Sequence, residues 1–315
     1  MPDPIEKVSI VVPVYNEELN LPDLFLKLEE VMKDERLSWE TILVNDGSRD
    51  RSGDIMREQS AKDKRFISIQ FRRNFGQTAA MQAGFDYATG DVVVPLDADL
   101  QNDPADIPLL LAKLDEGYDV VSGWRKKRQD KPIRRVFVSR VANAMISKIS
   151  GVKLHDYGCS LKAYRKSVMS EVRLYGEMHR FIPIYAAWQG GRITEIPVNH
   201  FPRTRGASNY GMERIFKVIL DLIVVKFLHG YSQKPMYLFG GIGIVCFLLS
   251  FLFGGVAIGL KIAEVSNLSR TPLPLACLFF ALIGVFLVLM GLLAEIITRT
   301  YYEAQGKKTY RVLEK

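Results

Sequence analysis

Two long apolar runs near the end of the chain constrain its fold more than any other feature. Pro235 to Leu260 holds no charged residue, and Pro272 to Ile297 holds only Glu295, close to its end. At about 1.5 Å per helical residue each run reaches roughly 37 Å, against a bilayer hydrocarbon core of about 30 Å. A buried helical hairpin in a soluble core is the competing explanation, and it suits runs this long and this uniformly apolar poorly. The linker Lys261 to Thr271 is short, so the two helices return the chain to the side it came from. Lys226, Lys234, Arg299, Lys307, Lys308 and Arg311 flank the outer ends, whereas the linker carries Lys261 and Arg270. The positive-inside bias therefore places residues 1–234 and the basic tail 299–315 in the cytoplasm, with both termini on that side of a multi-pass protein.

Averaged over 315 residues, 48% hydrophobic and 24% charged residues would pass for an ordinary soluble protein. The net charge of +7 fits nucleic acid, an anionic membrane or a phosphorylated substrate. The spans favour the last two, and no nucleic acid partner is expected. Cys159, Cys246 and Cys277 follow no zinc or disulfide spacing, which suits a reducing compartment for the polar part. Met1 to Lys7 lacks the basic-then-apolar progression of a signal peptide.

The first 123 residues alternate between two patterns. Val8 to Val14, Glu40 to Asn45, Phe66 to Phe71, Asp91 to Leu96 and Asp119 to Ser122 read as strands. Leu19 to Lys33, Ser52 to Lys62, Gln77 to Ala88 and Ala105 to Leu114 read as helices. Such alternation predicts an α/β fold with a doubly wound, mostly parallel sheet, whose ligands bind beyond the carboxyl ends of the strands. A domain over residues 1–209 would then be followed by a basic amphipathic segment over 210–234 and the two spans within 235–298. Arg134 to Ile149 and Glu213 to His229 have apolar residues at helical spacing; they suit ordinary surface helices or helices lying in the membrane interface.

The polar clusters fall at the strand ends. Strand one ends in Pro13, Val14, Tyr15, Asn16, Glu17, and strand two in Asn45, Asp46, Gly47, Ser48. Asp46 could accept from the imide N–H of a uracil, with Gly47 allowing close backbone approach; both segments also make good turns. The fourth strand ends in Asp97-Ala98-Asp99-Leu100-Gln101. If the strand continues, Asp97 and Asp99 share a face. Two carboxylates so placed suit Mg²⁺ or Mn²⁺ bridging phosphates, with Gln101 as a further ligand. Helix capping by Asp99 or Asp103 before Pro104 is the plainer alternative. Arg72 to Gln77 could reach phosphate or acceptor, or form a solvated loop. Further on, Asp156 is a candidate near the reacting centre, with His155 beside it incidental, and Lys162 is a candidate phosphate contact. Arg125, Arg128, Arg203, Arg205 and Ser208 supply cations and a hydroxyl for a lipid phosphate, since Arg grips phosphate through paired hydrogen bonds; a solvated charge cluster is the alternative. Gln189 to Arg192 reads as a turn.

Taken in this order, the motifs resemble family 2 glycosyltransferases of GT-A fold, within the group of dolichyl-phosphate mannose synthases and undecaprenyl-phosphate glycosyltransferases. Asp97 to Asn102, Asp156 to Arg165 and Phe181 to Ile184 are similar to the formamido-arabinose transferases of that group. The resemblance implies that Pro13, Tyr15, Glu17 and Asp46 hold a nucleotide-sugar and that Asp97, Asp99 and Gln101 organise the metal. It implies a polyprenyl phosphate acceptor, the bacterial inner membrane, and a lipid-linked monosaccharide made for envelope glycan or lipid A modification. Arg203, Gly206 and Ser208 match the group's basic loop, but Asn209 stands where relatives carry Lys, and Lys162 where they often carry Arg. The mechanism expected is one in-line displacement with inversion, in which Asp99 organises the leaving diphosphate and Asp156 orients the acceptor or acts as its base. The paired glycines at 240–243 and 254–255 would let helices pack closely, within one chain or in a homo-oligomer.

Overall fold

The structure is a computed structural model that describes residues 4–33, 37–126, 143, 146–148, 150–169, 178–202, 227, 230–231 and 234–304. The chain divides into two compact units, Met1–Leu222 and Ile223–Lys315. Arg128, Arg203, Arg205 and Ser208 lie outside the described residues, as do almost all of the two amphipathic stretches and the tail beyond residue 304.

In the first unit the chain runs β1 (Lys7–Val14), α1 (Leu21–Lys33), β2 (Ser38–Asn45), α2 (Ser52–Lys62), β3 (Phe66–Gln70), α3 (Gln77–Tyr87), β4 (Val92–Pro95), α4 (Ile107–Asp115), β5 (Val120–Trp124), β6 (Lys162–Arg165), α5 (Ile182–Trp188) and β7 (Ile193–Pro197). Among the described residues the strands form one sheet in the order β3-β2-β1-β4-β6-β5-β7. β1 pairs in parallel with β2 and β4, and β2 with β3. β6 runs antiparallel to both β4 and β5, and β5 pairs in parallel with β7. Six strands thus present their carboxyl ends at one edge, and β6 enters the sheet from that same edge.

The sheet is buried on both faces, which explains why β1 reads as a nearly continuous apolar run rather than an alternation. Val8, Ile10, Val12 and Val14 pack with Leu21, Leu24, Phe25 and Leu28 of α1 and with α4. Val11 turns the other way, to Ile42, Val44, Val93 and Ala80 of α3. There α3 lies so close that a Cβ on Gly84 would fall 2.1 Å from Val11 Cγ1. At the opposite end of the sheet Glu40, almost fully buried, accepts from Ser9 Oγ at 2.6 Å and Thr89 N at 2.7 Å and pairs with Lys7 at 2.7 Å. Burial alone would raise its carboxyl; the bonds from Lys7, Ser9 and Thr89 outweigh that and hold it down at about 2.

The second unit holds α6 (Pro235–Ile262) and α7 (Leu273–Ala304), antiparallel through a short turn containing a 3-10 segment, Leu268–Arg270. Both are long and apolar enough to cross a membrane, and most of their large side chains, Phe251, Leu275 and Phe286 among them, are exposed rather than packed in a core. The helices run past the expected ends at 260 and 297. Glycines serve the contact: a Cβ on Gly243 would sit 3.1 Å from Gly284 O, and one on Gly284 3.1 Å from the Phe247 ring. Ser250 Oγ donates to Cys277 O at 2.8 Å, which satisfies a hydroxyl inside the hairpin.

Candidate active site

Each parallel strand of the first unit ends in a loop, and these loops are stitched to one another. Beyond β1, Asn16 adopts φ 57°, its amide donates to Ser48 Oγ at 3.0 Å, and its side-chain oxygen accepts from Arg49 N at 2.8 Å. Glu17 N donates to Ser52 Oγ at 2.9 Å, while the Glu17 carboxylate accepts from Asn20. Pro13 lies one residue before the end of β1, in register with Val44, and Tyr15 is half-buried. Hydrogen bonds thus join the loop carrying Tyr15, Asn16 and Glu17 to the loop beyond β2.

Asp46 is buried, and both of its oxygens are engaged. They accept from Phe75 N at 2.6 Å and Gly76 N at 2.9 Å, so the β2 end clamps the loop between β3 and α3. Burial pushes the Asp46 carboxyl up, against the pull of those two amides. Gly47 follows at φ +69°, and a Cβ there would fall 2.4 Å from the Arg73 carbonyl carbon. The sequence offered Asp46 to a base and left the Arg72–Gln77 loop open between two roles; the structure makes them partners. Arg73 lies over the Phe75 ring at 4.1 Å, and Gln77 Nε2 donates to Asp97 Oδ1 at 2.8 Å. Asp46, the loop and Asp97 thus form a continuous polar chain.

β4 stops at Pro95, so Asp97 and Asp99 lie in the turn beyond it rather than on a continuing strand. The alternation survives nonetheless: Leu96 and Ala98 are buried, Asp97 and Asp99 half-buried. Asp99 Oδ1 accepts from Gln101 N at 3.1 Å across Leu100, which has φ 58°. The capping role falls to Asp103, whose side chain accepts from Ala105 N in the 3-10 segment Pro104–Asp106. Gln101 is held through its carbonyl, which accepts from Phe201 N at 2.8 Å. Among the described residues no cluster of three or more His, Cys, Asp or Glu could hold a metal by itself. Two carboxylates beyond a strand end suit a divalent cation whose shell water and phosphate would complete.

Asp156 and Arg125 were separate candidates, and the structure joins them. Arg125 Nε donates to Asp156 Oδ2 at 2.7 Å and Nη2 to Oδ1 at 3.0 Å, a two-point fork that is nearly buried. Gly158 N adds a third bond to Asp156 at 3.1 Å. Lys162 departs from the expectation of a phosphate contact. It opens β6, is buried, and its ammonium donates to the carbonyls of Cys159 and Tyr157. Burial pushes its pKa down, partly offset by nearby Cys159, Asp156 and Asp97. The His155 ring stacks on Trp124 with centroids 4.4 Å apart and bonds the Glu195 carboxylate of β7. Thr78 Oγ1, at the start of α3, meets His179 Nδ1 at 2.7 Å. The Thr78–His179 contact joins side chains 101 positions apart, for which no local pattern exists.

A fold of this topology, with its polar loops gathered at one sheet edge, defines a class. The model of glycosyl transferase family 2 matches residues 9–173, and the chain belongs to that family. The dodecaprenyl-phosphate galacturonate synthase of Rhizobium johnstonii is 41% identical, over 98% of this chain and 94% of its own length. The undecaprenyl-phosphate 4-deoxy-4-formamido-L-arabinose transferase of Salmonella choleraesuis is 38% identical, over 98% of this chain and 93% of its own length. Among solved structures, glucosyl-3-phosphoglycerate synthase from Mycobacterium tuberculosis, in complex with Mn²⁺, UDP and glucosyl-3-phosphoglycerate, superposes with a TM-score of 0.55. It is 16% identical and covers 71% of this chain and 80% of its own, a likeness of fold alone.

Proposed function

We propose that this family 2 glycosyltransferase moves one sugar from a nucleotide-sugar, UDP-linked, to a polyprenyl phosphate such as undecaprenyl phosphate. The observation that carries the reading is the polar chain from Asp46 through the Phe75–Gly76 amides and Gln77 to Asp97, which joins the loop beyond β2 to the pair of carboxylates beyond β4. The relatives named above, similar over nearly the whole chain, transfer sugars to polyprenyl phosphates by name.

In this reading Pro13, Tyr15, Asn16, Glu17, Asp46 and Gly47 form the nucleotide surface, and Asp97, Asp99 and Gln101 hold Mg²⁺ or Mn²⁺. The metal, when bound, supplies Lewis-acid stabilisation of the departing diphosphate. The nucleophile is a phosphate oxygen of the lipid. A phosphate monoester loses its second proton near pH 6, so it arrives largely ionised and needs no strong base. Asp156 accordingly serves by holding the Arg125 guanidinium in place on the acceptor side; Arg128, Arg203, Arg205 and Ser208 are proposed to complete that anchor. Lys162 contributes by fixing the loop between Asp156 and β6 through its carbonyl contacts. The hairpin of α6 and α7 is proposed to span the bacterial inner membrane, with residues 1–234 and the tail on the cytoplasmic side. Purified protein with Mn²⁺, a panel of UDP-sugars and undecaprenyl phosphate tests the whole reading. A single-sugar lipid product supports it, a polymer would indicate a processive synthase, and binding without turnover a sensor.

A further inference from the structure

Asn102 lies one residue beyond Gln101 and is almost fully buried, yet its side chain is a primary amide. Its Nδ2 donates to Ser160 Oγ at 2.7 Å, and its Oδ1 faces Cys159 Sγ at 3.8 Å. Both partners belong to the loop that begins at Asp156. Its backbone forms an antiparallel bridge with His200, just beyond β7. The flanking contacts repeat the pattern: Phe201 N donates to Gln101 O at 2.8 Å, and Asn199 donates to the two Asp106 oxygens at 2.7 and 3.0 Å. Three segments distant in sequence therefore meet on one residue.

We infer that Asn102 is a positioning residue for the transfer step, holding the Asp97–Gln101 turn and the Asp156 loop at a fixed separation. The inference rests on the activity proposed above. Asn102 follows Asp99 by three residues and Ser160 follows Asp156 by four, so each end of the link lies about one turn of chain from a carboxylate of the site. An amide offers a donor and an acceptor in one plane, so bonding Ser160 and facing Cys159 sets orientation as well as distance. A buried apolar residue of the same size would pack as well and set neither. In group transfer, a misplacement of about 1 Å between donor and acceptor costs roughly a hundredfold in rate. The link spans the two sides that must be kept to that tolerance, whereas the proposed nucleoside surface lies beyond β1 and β2, on the far side of β4.

The test compares full-length wild-type protein with Asn102→Ala, Ser160→Ala, the double variant and Ser160→Thr, in detergent or nanodiscs. The expected result is a loss in kcat of about tenfold or more for each alanine variant. Affinity for UDP in the absence of metal, measured by calorimetry, should stay within about threefold, since the link does not touch the loops beyond β1 and β2. The double variant should be no slower than the slower single, because both remove one bond. Ser160→Thr keeps the hydroxyl and should work near the wild-type rate. A kcat for Asn102→Ala close to wild type would overturn the inference, as would losses that multiply in the double variant or a parallel fall in UDP affinity. Should Asn102→Ala fail to fold, Ser160→Ala working as well as Ser160→Thr overturns it equally. Wild-type protein that transfers no sugar overturns the activity itself, a separate result from normal rates in the variants.

Discussion

Replacing Gly47 with alanine should disable the nucleotide side of the site, and the size of the effect can be worked from its surroundings. The backbone at φ +69° costs an L-residue about 1–2 kcal/mol. The new methyl would lie 2.4 Å from Arg73 C and 2.6 Å from Asn74 N, which are backbone atoms. Ordinary carbon contacts need about 3.5–4.0 Å, so the Arg72–Gly76 segment must retreat by about 1 Å. That retreat stretches the bonds from Phe75 N and Gly76 N to Asp46, now 2.6 and 2.9 Å. Hydrogen bonds to a charged group contribute about 1.5–3 kcal/mol each, and losing even one takes the total to about 3 kcal/mol. If the displaced loop must return for nucleotide to bind, UDP affinity falls by about a hundredfold. Calorimetric titration of UDP with Mn²⁺ measures this, with thermal unfolding alongside. Gly190→Ala is the control: φ is +89° but no atom lies within 4 Å, so it should lower the melting temperature and leave UDP binding intact. Gly47→Ala binding UDP within about threefold of wild type would refute the reasoning.

Asp99→Ala should abolish transfer while the protein still resists extraction from membranes; near-normal transfer would sink the metal assignment. Arg125→Lys keeps the charge but loses the two-point fork on Asp156, and kcat/KM should fall by about tenfold in a lipid-product assay. The Glu40 carboxyl is held at about 2 against 4.5 for the free group, so its bonds stabilise the fold fully above pH 4.5 and lose that contribution as pH falls toward 2. The difference amounts to about 3 kcal/mol at most, and Glu40→Gln should flatten the acid limb of a melting-temperature profile.

Helices α1 to α4 were legible because apolar residues recur at helical spacing, and strands β1 to β5 because they are short, mostly apolar or β-branched runs. α1 buries Leu21, Leu24, Phe25, Leu28 and Met32, and β1 is apolar but for Lys7 and Ser9 because helices cover both faces. β6 escaped for the opposite reason. It is four residues long, it opens and closes on cations, and all four residues are buried. Lys and Arg ordinarily mark exposed positions. Here they are buried because Lys162 donates to carbonyls of its own loop and Arg165 to Tyr118 O and Leu114 O. Those acceptors come from the rest of the fold, so nothing within Lys162–Arg165 announces a strand. β7 is a half-buried edge strand of five residues whose partner lies 73 positions back, from Val120 to Ile193. Sheet pairing at such separation leaves no local periodicity.

The site was legible by residue type and position, and not by partnership. Every acid singled out lies beyond a strand end or in a loop feeding one, but the partners of Asp46 and Asp156 come from segments about thirty positions away. Asp46 meets Phe75 and Gly76, and Asp156 meets Arg125. Those partners divide the acids by residual charge. Arg125 neutralises Asp156, whereas the amide of Gln77 satisfies one oxygen of Asp97 without cancelling its charge. In the proposed reaction this division has a purpose. A divalent cation and a diphosphate require net negative charge at the β4 turn. An incoming phosphate dianion would be repelled by a bare carboxylate at Asp156, and the guanidinium removes that repulsion before the acceptor arrives. The spacing Asp97-x-Asp99 advertises the first half of the arrangement; the second half exists only once β5 has brought Arg125 to the loop.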